Sequence, residues 1–158
     1  MEKNDISYKN EEFKTKFNFR VALIATNGDK ILLQKSDKDD YWSLIGGRVR
    51  LNEDTKSAII REILEETGVT LEKSELSLIK VIENFFTYKD TRFHEILYIY
   101  KVDKNEILSI MDEFKTLDKD CVINKWIDTS ELENMDIRPA IVKKCYSDNT
   151  LSSELIIE

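Results

Sequence analysis

One stretch, GRVRLNEDTKSAIIREILEETGV at residues 47–69, constrains this chain more than any other. A glycine loop opens it, and a run free of glycine and proline follows from Asp54 to Thr67. At about 100° of rotation per residue, that run reads as an amphipathic helix with two unlike sides. Ile59, Ile60, Ile63 and Leu64 fall largely within roughly 140° of arc, an apolar side that needs a sheet to pack on. Glu62, Glu65 and Glu66 fall within roughly 100° on the other side. Ala58 lies amid that acidic arc, where a small side chain leaves room for an ion or ligand. Gly68 is placed to end the helix, since the residue after a helix often has φ > 0.

The acidic side is locally unfavourable. Like charges at i,i+4, such as Glu62 and Glu66, cost a few tenths of a kcal/mol per pair, about 0.2–0.5. Something must offset that. Arg61 can pair with one carboxylate, and a divalent cation is the stronger candidate. Mg²⁺ takes oxygen ligands, usually one or two carboxylates together with substrate phosphates.

The fixed positions are Gly47, Glu53, Arg61, Glu62, Ile63, Glu65, Glu66, Gly68 and Val69. They fill the pattern G-x₅-E-x₇-R-E-U-x-E-E-x-G-U, with U aliphatic, and in this the chain resembles the Nudix family. The resemblance is strongest over this box and looser from about Phe17 to Pro139. It implies an α/β fold, an α/β/α sandwich with a mixed β-sheet between helices. It also implies a Mg²⁺-dependent hydrolase, with Mn²⁺ as a possible substitute. The bond cleaved would be a pyrophosphate bond in a nucleoside diphosphate linked to another group. Nucleoside triphosphates and nucleotide sugars such as ADP-ribose both qualify. By resemblance, Glu62, Glu65, Glu66 and the Gly46 carbonyl hold metal, while Glu53 and Arg61 orient the helix and its carboxylates. Glu62, Glu65 and Glu95 are the catalytic candidates, with the general base open between Glu62 and Glu95.

Two other readings compete. A non-catalytic Nudix domain that senses a nucleotide would usually show an eroded box, and this box is intact. An RNA 5′-end pyrophosphohydrolase is disfavoured by charge, because a net charge of −7 and a pI near 4.9 repel phosphate backbones. The partner expected is a small nucleotide, with no long nucleic acid and no membrane. The protein is expected to be a cytoplasmic monomer or homodimer.

Outside the box, Glu95 stands mid-strand in FHEI, where an unpaired carboxylate is costly to bury. It reads as a water-facing glutamate, a metal ligand or a base. His94 is a phosphate or base contact, or a structural histidine. Trp126 in KWIDTSEL resembles a family tryptophan near which some members stack a nucleobase, and a packed core tryptophan is the alternative. Asp128 is a base-edge acceptor or a helix cap. Arg48 and Arg50 flank the glycine loop and can steer phosphates or sit as exposed cations. Phe85 and Phe86 read as core.

One proline and four glycines in 158 residues argue against a linker-rich chain. The expectation is a polar N-terminal arm over 1–14 and a single domain over 15–158, with no secretory signal. Cys121 and Cys145 form no CxxC pair and read as reduced packing residues. Asn27-Gly28 marks a hairpin between strands at Phe17–Ala25 and Lys30–Lys35. A second hairpin joins Leu76–Tyr88 to Arg92–Val102. Further elements are a helix at Asn105–Phe114, a strand at Val122–Ile127, a helix capped by Ser130 and a helix over Pro139–Tyr146.

Overall fold

The computed structural model describes residues 4–102 and 112–157. Among these described residues, nine strands form a mixed sheet. They are β1 (Ser7–Asn10), β2 (Thr15–Asn27), β3 (Lys30–Ser36), β4 (Ile45–Arg48), β5 (Leu76–Tyr88), β6 (Thr91–Val102), β7 (Glu113–Lys115), β8 (Val122–Asp128) and β9 (Ser152–Ile157). The spatial order is β7-β8-β3-β2-β6-β5-β9. β1 and β4 pair with β2 along the edge that faces away from β6. β2 runs parallel to β6, and β5 runs parallel to β9.

The centre of β2 explains the layering. Its run is apolar on both faces, so both faces must be covered. Val21, Leu23 and Ala25 point to one core with Ala58, Ile59, Ile63 and Trp126. Ala22 and Ile24 point to the other, with Leu97, Ile99, Leu132, Val142 and Cys145. Helix α1 (Thr55–Thr67) covers the first face. A 3₁₀ turn at Thr129–Asn134 and the short helix α2 (Val142–Cys145) cover the second. This is the α/β/α arrangement expected from the box.

Asp54 caps α1, accepting hydrogen bonds from the Ser57 N–H at 2.9 Å and the Ser57 hydroxyl at 2.8 Å. Those bonds hold its carboxyl down to about 2. Gly68 follows at φ 77°, and its N–H donates to the Leu64 carbonyl. The phase of the helix differs from the expected wheel. The buried stripe runs through Ala58, Ile59, Ile63 and Glu66, while Leu64 is 46% exposed. Ala58 therefore packs in the core and not among solvent-facing acids. The same rotation turns Glu62 and Glu66 down toward the sheet.

Four other expectations need correction. The polar arm expected over residues 1–14 includes a strand, because Ser7–Asn10 pairs with Thr15–Asn18. The helix expected at Asn105–Phe114 lies mostly outside the described residues, and its last two positions belong to β7, which pairs with β8. Ser130 does not cap the 3₁₀ turn; its N–H donates to Asp128, which does. The helix over Pro139–Tyr146 contracts to Val142–Cys145. Its first turns close through i→i+3 bonds, Val142 N–H to Pro139 O and Lys143 N–H to Ala140 O, which is 3₁₀ and not α geometry.

Candidate active site

α1 lies over β4, where Gly47 makes room for the helix and Gly46 makes room for the β2 backbone. A Cβ on Gly47 would stand 2.2 Å from the Glu62 carboxyl carbon. A Cβ on Gly46 would stand 2.1 Å from the Val21 carbonyl oxygen. The Glu62 carboxylate thus rests on bare backbone. Its side chain is only 12% exposed. Burial raises its pKa, and the hydrogen bond from Arg61 opposes that rise.

Arg61 is the hub of the box. Its Nε and Nη2 donate to the two Glu53 oxygens at 2.7 and 2.9 Å, a fork-to-carboxylate pair. Nη1 donates to Glu62 at 2.8 Å and to Glu65 at 3.4 Å. Nη2 also donates to the Arg48 carbonyl at 2.9 Å. Glu53 accepts the Arg50 N–H as well. The bond from Arg61 is the largest influence on Glu53 and lowers its pKa. One guanidinium therefore ties the β4–α1 loop to the helix.

Glu66 is 1% exposed, and its Oε2 has no hydrogen-bond partner. Burial, and then repulsion from Glu62, push its carboxyl up to about 8. A buried carboxylate with an unpartnered oxygen, four residues from a second carboxylate, fits a divalent cation. Among the described residues, no group of three His, Cys, Asp or Glu side chains is arranged to hold a metal ion. Glu65 is drawn outward: it is 38% exposed and pairs with Arg61 and with Arg50 at 3.8 Å. The residues that fit Mg²⁺ are thus Glu62 and Glu66, within the one or two carboxylates this ion usually takes. The Gly46 carbonyl is placed to join them. Peptide groups along a strand alternate in direction. The Arg48 carbonyl points off β4 to Arg61, so the Gly46 carbonyl, two residues away, points to the same outer side.

On the other face of the sheet lies a cavity of about 320 Å³. Arg20, Gly46, Asn84, Phe86, Glu95 and Arg138 are among its lining residues. Gly46 lines this cavity and immediately precedes the box. Glu95, Leu97 and Ile99 alternate to the same face, so Glu95 belongs to the cavity floor and not beside the carboxylates of α1. Asn18 donates to Glu95 at 3.4 Å and accepts the Ser7 hydroxyl at 2.9 Å. Arg138 stands over the Tyr41 ring at 4.4 Å. Lys16 has its pKa lowered by burial and then by Arg48, Lys9 and Arg20. Glu95 opposes that shift, so cations and a carboxylate meet beside the cavity.

Other expected contacts fall elsewhere. His94 points away from Glu95 and stacks on Phe85 at 4.2 Å, with Nε2 3.3 Å from Glu83. Trp126 is 6% exposed in the core under α1 and does not line the cavity. Its placement is that of a packed tryptophan and not of a stacking platform. Asp128 caps the 3₁₀ turn. Arg48 and Arg50 are not exposed loop cations, since both approach Asp5. Phe86 lines the cavity, whereas Phe85 points to the opposite face. Arg20, Tyr41, Asn84 and Arg138 were not singled out from sequence. Two of them carried a signal, a polar residue interrupting an apolar strand run, in FRVAL for Arg20 and VIENFF for Asn84.

A family model described as the NUDIX domain matches residues 16–144. The chain belongs to the Nudix family. A putative 8-oxo-dGTP diphosphatase of Bacillus subtilis is 43% identical over 47 residues, covering 30% of this chain and 32% of that relative. Among solved structures, a MutT protein from Bacillus halodurans matches with TM-score 0.67 and 17% identity over 87% of this chain and 88% of its own. An ADP-ribose pyrophosphatase from Streptococcus suis matches with TM-score 0.53 and 12% identity over 87% and 98%. At such identities these two show a shared Nudix fold, with the box glycines and glutamates of this chain set on it as described above.

Proposed function

We propose that this Nudix hydrolase binds Mg²⁺, or Mn²⁺ in its place, and cleaves a pyrophosphate bond in a nucleoside diphosphate linked to another group. Nucleoside triphosphates and nucleotide sugars are the substrate classes. The observation that carries this reading is the unpartnered Oε2 of buried Glu66 beside Glu62. Glu62, Glu66 and the Gly46 carbonyl would hold the cation. When bound, the cation neutralises phosphoryl charge and acidifies a nearby water.

The chain's own groups supply the rest. Arg61 fixes Glu62 through Oε1, which leaves Oε2 for a water proton. Glu62 is therefore favoured over Glu95 as the general base, because Glu95 floors the cavity on the opposite face. Glu65 gates the outer side of the site through its pairs with Arg50 and Arg61. Arg20, Arg48 and Lys16 supply the positive charge that receives phosphates. The attached group enters the cavity lined by Phe86 and Asn84. The proposal includes a single domain over residues 15–158 acting on small nucleotides in the cytoplasm. No helix among the described residues is long and apolar enough to cross a membrane.

The test is a panel of nucleoside triphosphates and nucleotide sugars with Mg²⁺ or Mn²⁺, with products identified by mass. Release of a nucleoside monophosphate from at least one substrate, stopped by a chelator, is the expected result. Nucleotide binding with no turnover under either metal would overturn hydrolysis in favour of a sensing domain.

A further inference from the structure

We propose that the part of the α1-side sheet face lying outside the core is a self-association surface, on which a second copy of this chain packs face to face about a two-fold axis.

Strand register builds this face. Direct cross-strand partners point the same way. One row runs Tyr8, Phe17, His94, Phe85 and Ile157 across β1, β2, β6, β5 and β9. The next holds Phe19, Ile96, Glu83 and Leu155, with the Ile6 carbonyl accepting the Phe19 N–H. Val21, in the third row, lies in the core under α1. Ile6 and Phe19 border that core, whereas Phe17, Phe85 and Ile96 belong to neither core. Tyr8, Leu155 and Ile157 are 63%, 60% and 75% exposed. The rings are ordered without a partner: His94 stacks on Phe85 and meets Phe17 edge-on at 5.2 Å. A surface set in advance loses little side-chain freedom on binding.

Charge names the occupant. The two rows carry no lysine or arginine, and the chain has a net charge of −7, so nothing draws an anionic lipid surface. Two copies at −7 repel one another over most of their surfaces, and least across a face with one carboxylate among ten side chains. That carboxylate, Glu83, lies diagonal to His94, 3.3 Å from its Nε2. A two-fold axis between two such faces, at right angles to the line joining this pair, sets Glu83 over the partner's His94 and the reverse. An isologous contact has that reciprocity. Strands of the two sheets then cross steeply, as in orthogonal sheet packing.

The area is sufficient. At about 150–250 Å² for a whole large side chain, the exposures leave on the order of 600 Å² bare per copy. Two copies bury about 1,200 Å², the lower end for a stable specific interface.

The test is sedimentation velocity of the full chain from micromolar to submillimolar concentration. A species of twice 18.6 kDa is expected, with a melting temperature that rises with concentration. Tyr8→Lys and Ile157→Lys, at opposite ends of one row, should each lose the dimer and the concentration dependence while circular dichroism stays that of the folded chain. His94→Glu should lose it too, because four carboxylates then meet, and adding Glu83→His should restore it. Leu117→Lys, exposed but outside the two rows, should leave the dimer intact. A wild type that stays monomeric throughout would overturn the proposal, as would a dimer that persists in both row variants. Loss in Ile157→Lys alone would also overturn it, since β9 is a sheet edge and edge-to-edge pairing would then explain the dimer. Failure of the double variant to restore the dimer would overturn the two-fold pairing of Glu83 with His94.

Discussion

Replacing Glu66 with glutamine should stabilise the metal-free protein, and the gain should grow with pH. Glu66 is 1% exposed with an unpartnered oxygen, and its carboxyl is raised from 4.5 to about 8. Below pH 4.5 the folded and unfolded chains both hold this proton, and the group has no effect. Between 4.5 and about 8 the unfolded chain releases it while the folded chain keeps it. The unfolded state then binds fewer protons, so stability falls as pH rises. At about 1.4 kcal/mol per unit, the full span is worth on the order of 4–5 kcal/mol, of which about 3 is lost by pH 7. Glutamine does not titrate, so Glu66→Gln escapes that loss. For a chain of this size each kcal/mol moves the melting temperature by about 2–4 °C, so a shift of roughly 6–12 °C is expected at pH 7. The assay is thermal unfolding by circular dichroism from pH 5 to 9 in chelator, wild type against variant. A difference that is constant across that range would refute the reasoning, because it would show that Glu66 does not titrate from a strained buried site. Added Mg²⁺ should raise the wild-type melting temperature by mass action and raise the variant much less.

The two glycines of β4 should fail differently. Gly46→Ala meets the Val21 backbone oxygen and should destabilise by about 1–3 kcal/mol or more, read by urea unfolding, whereas Gly47→Ala meets only the movable Glu62 carboxyl and should keep most stability while lowering turnover. Trp126→Ala should lose about 3–5 kcal/mol of stability, since Trp126 packs in the core; retained stability with a raised KM would restore the stacking role. Asp54→Ala should cost about 1 kcal/mol by removing the α1 cap. The native carboxyl is depressed to about 2, so the advantage of wild type should be present above about pH 4 and fade as pH falls toward 2 in acid titrations.

The box was legible because its spacing fixes chemistry within one helix and one loop. The helix limits and the glycine after it came out at the expected residues, and so did both hairpins. The phase of the helix did not, since rotation within an apolar stripe is settled by what lies beneath it. That is why Ala58 and Leu64 exchanged places and why Glu62 and Glu66 turned inward. The cavity was less legible for a related reason. Asn18 and Glu95 are 77 positions apart in the chain and meet only through the parallel pairing of β2 with β6. Nothing local encodes that register. The separation of His94 from Glu95 was open to sequence reasoning, because adjacent strand residues face opposite ways. Trp126 carried no period of its own, and only the packing of α1 decides its burial.

The central claim is that Glu62 and Glu66 hold the cation that drives hydrolysis. Its most direct test is steady-state release of nucleoside monophosphate at saturating Mg²⁺ from wild type, Glu62→Gln and Glu66→Gln, each shown to be folded. Turnover in both variants is expected to fall by about 100-fold or more, on the order of 3 kcal/mol of transition-state stabilisation. Rates within a few fold of wild type in both folded variants would contradict the claim and place the cation elsewhere.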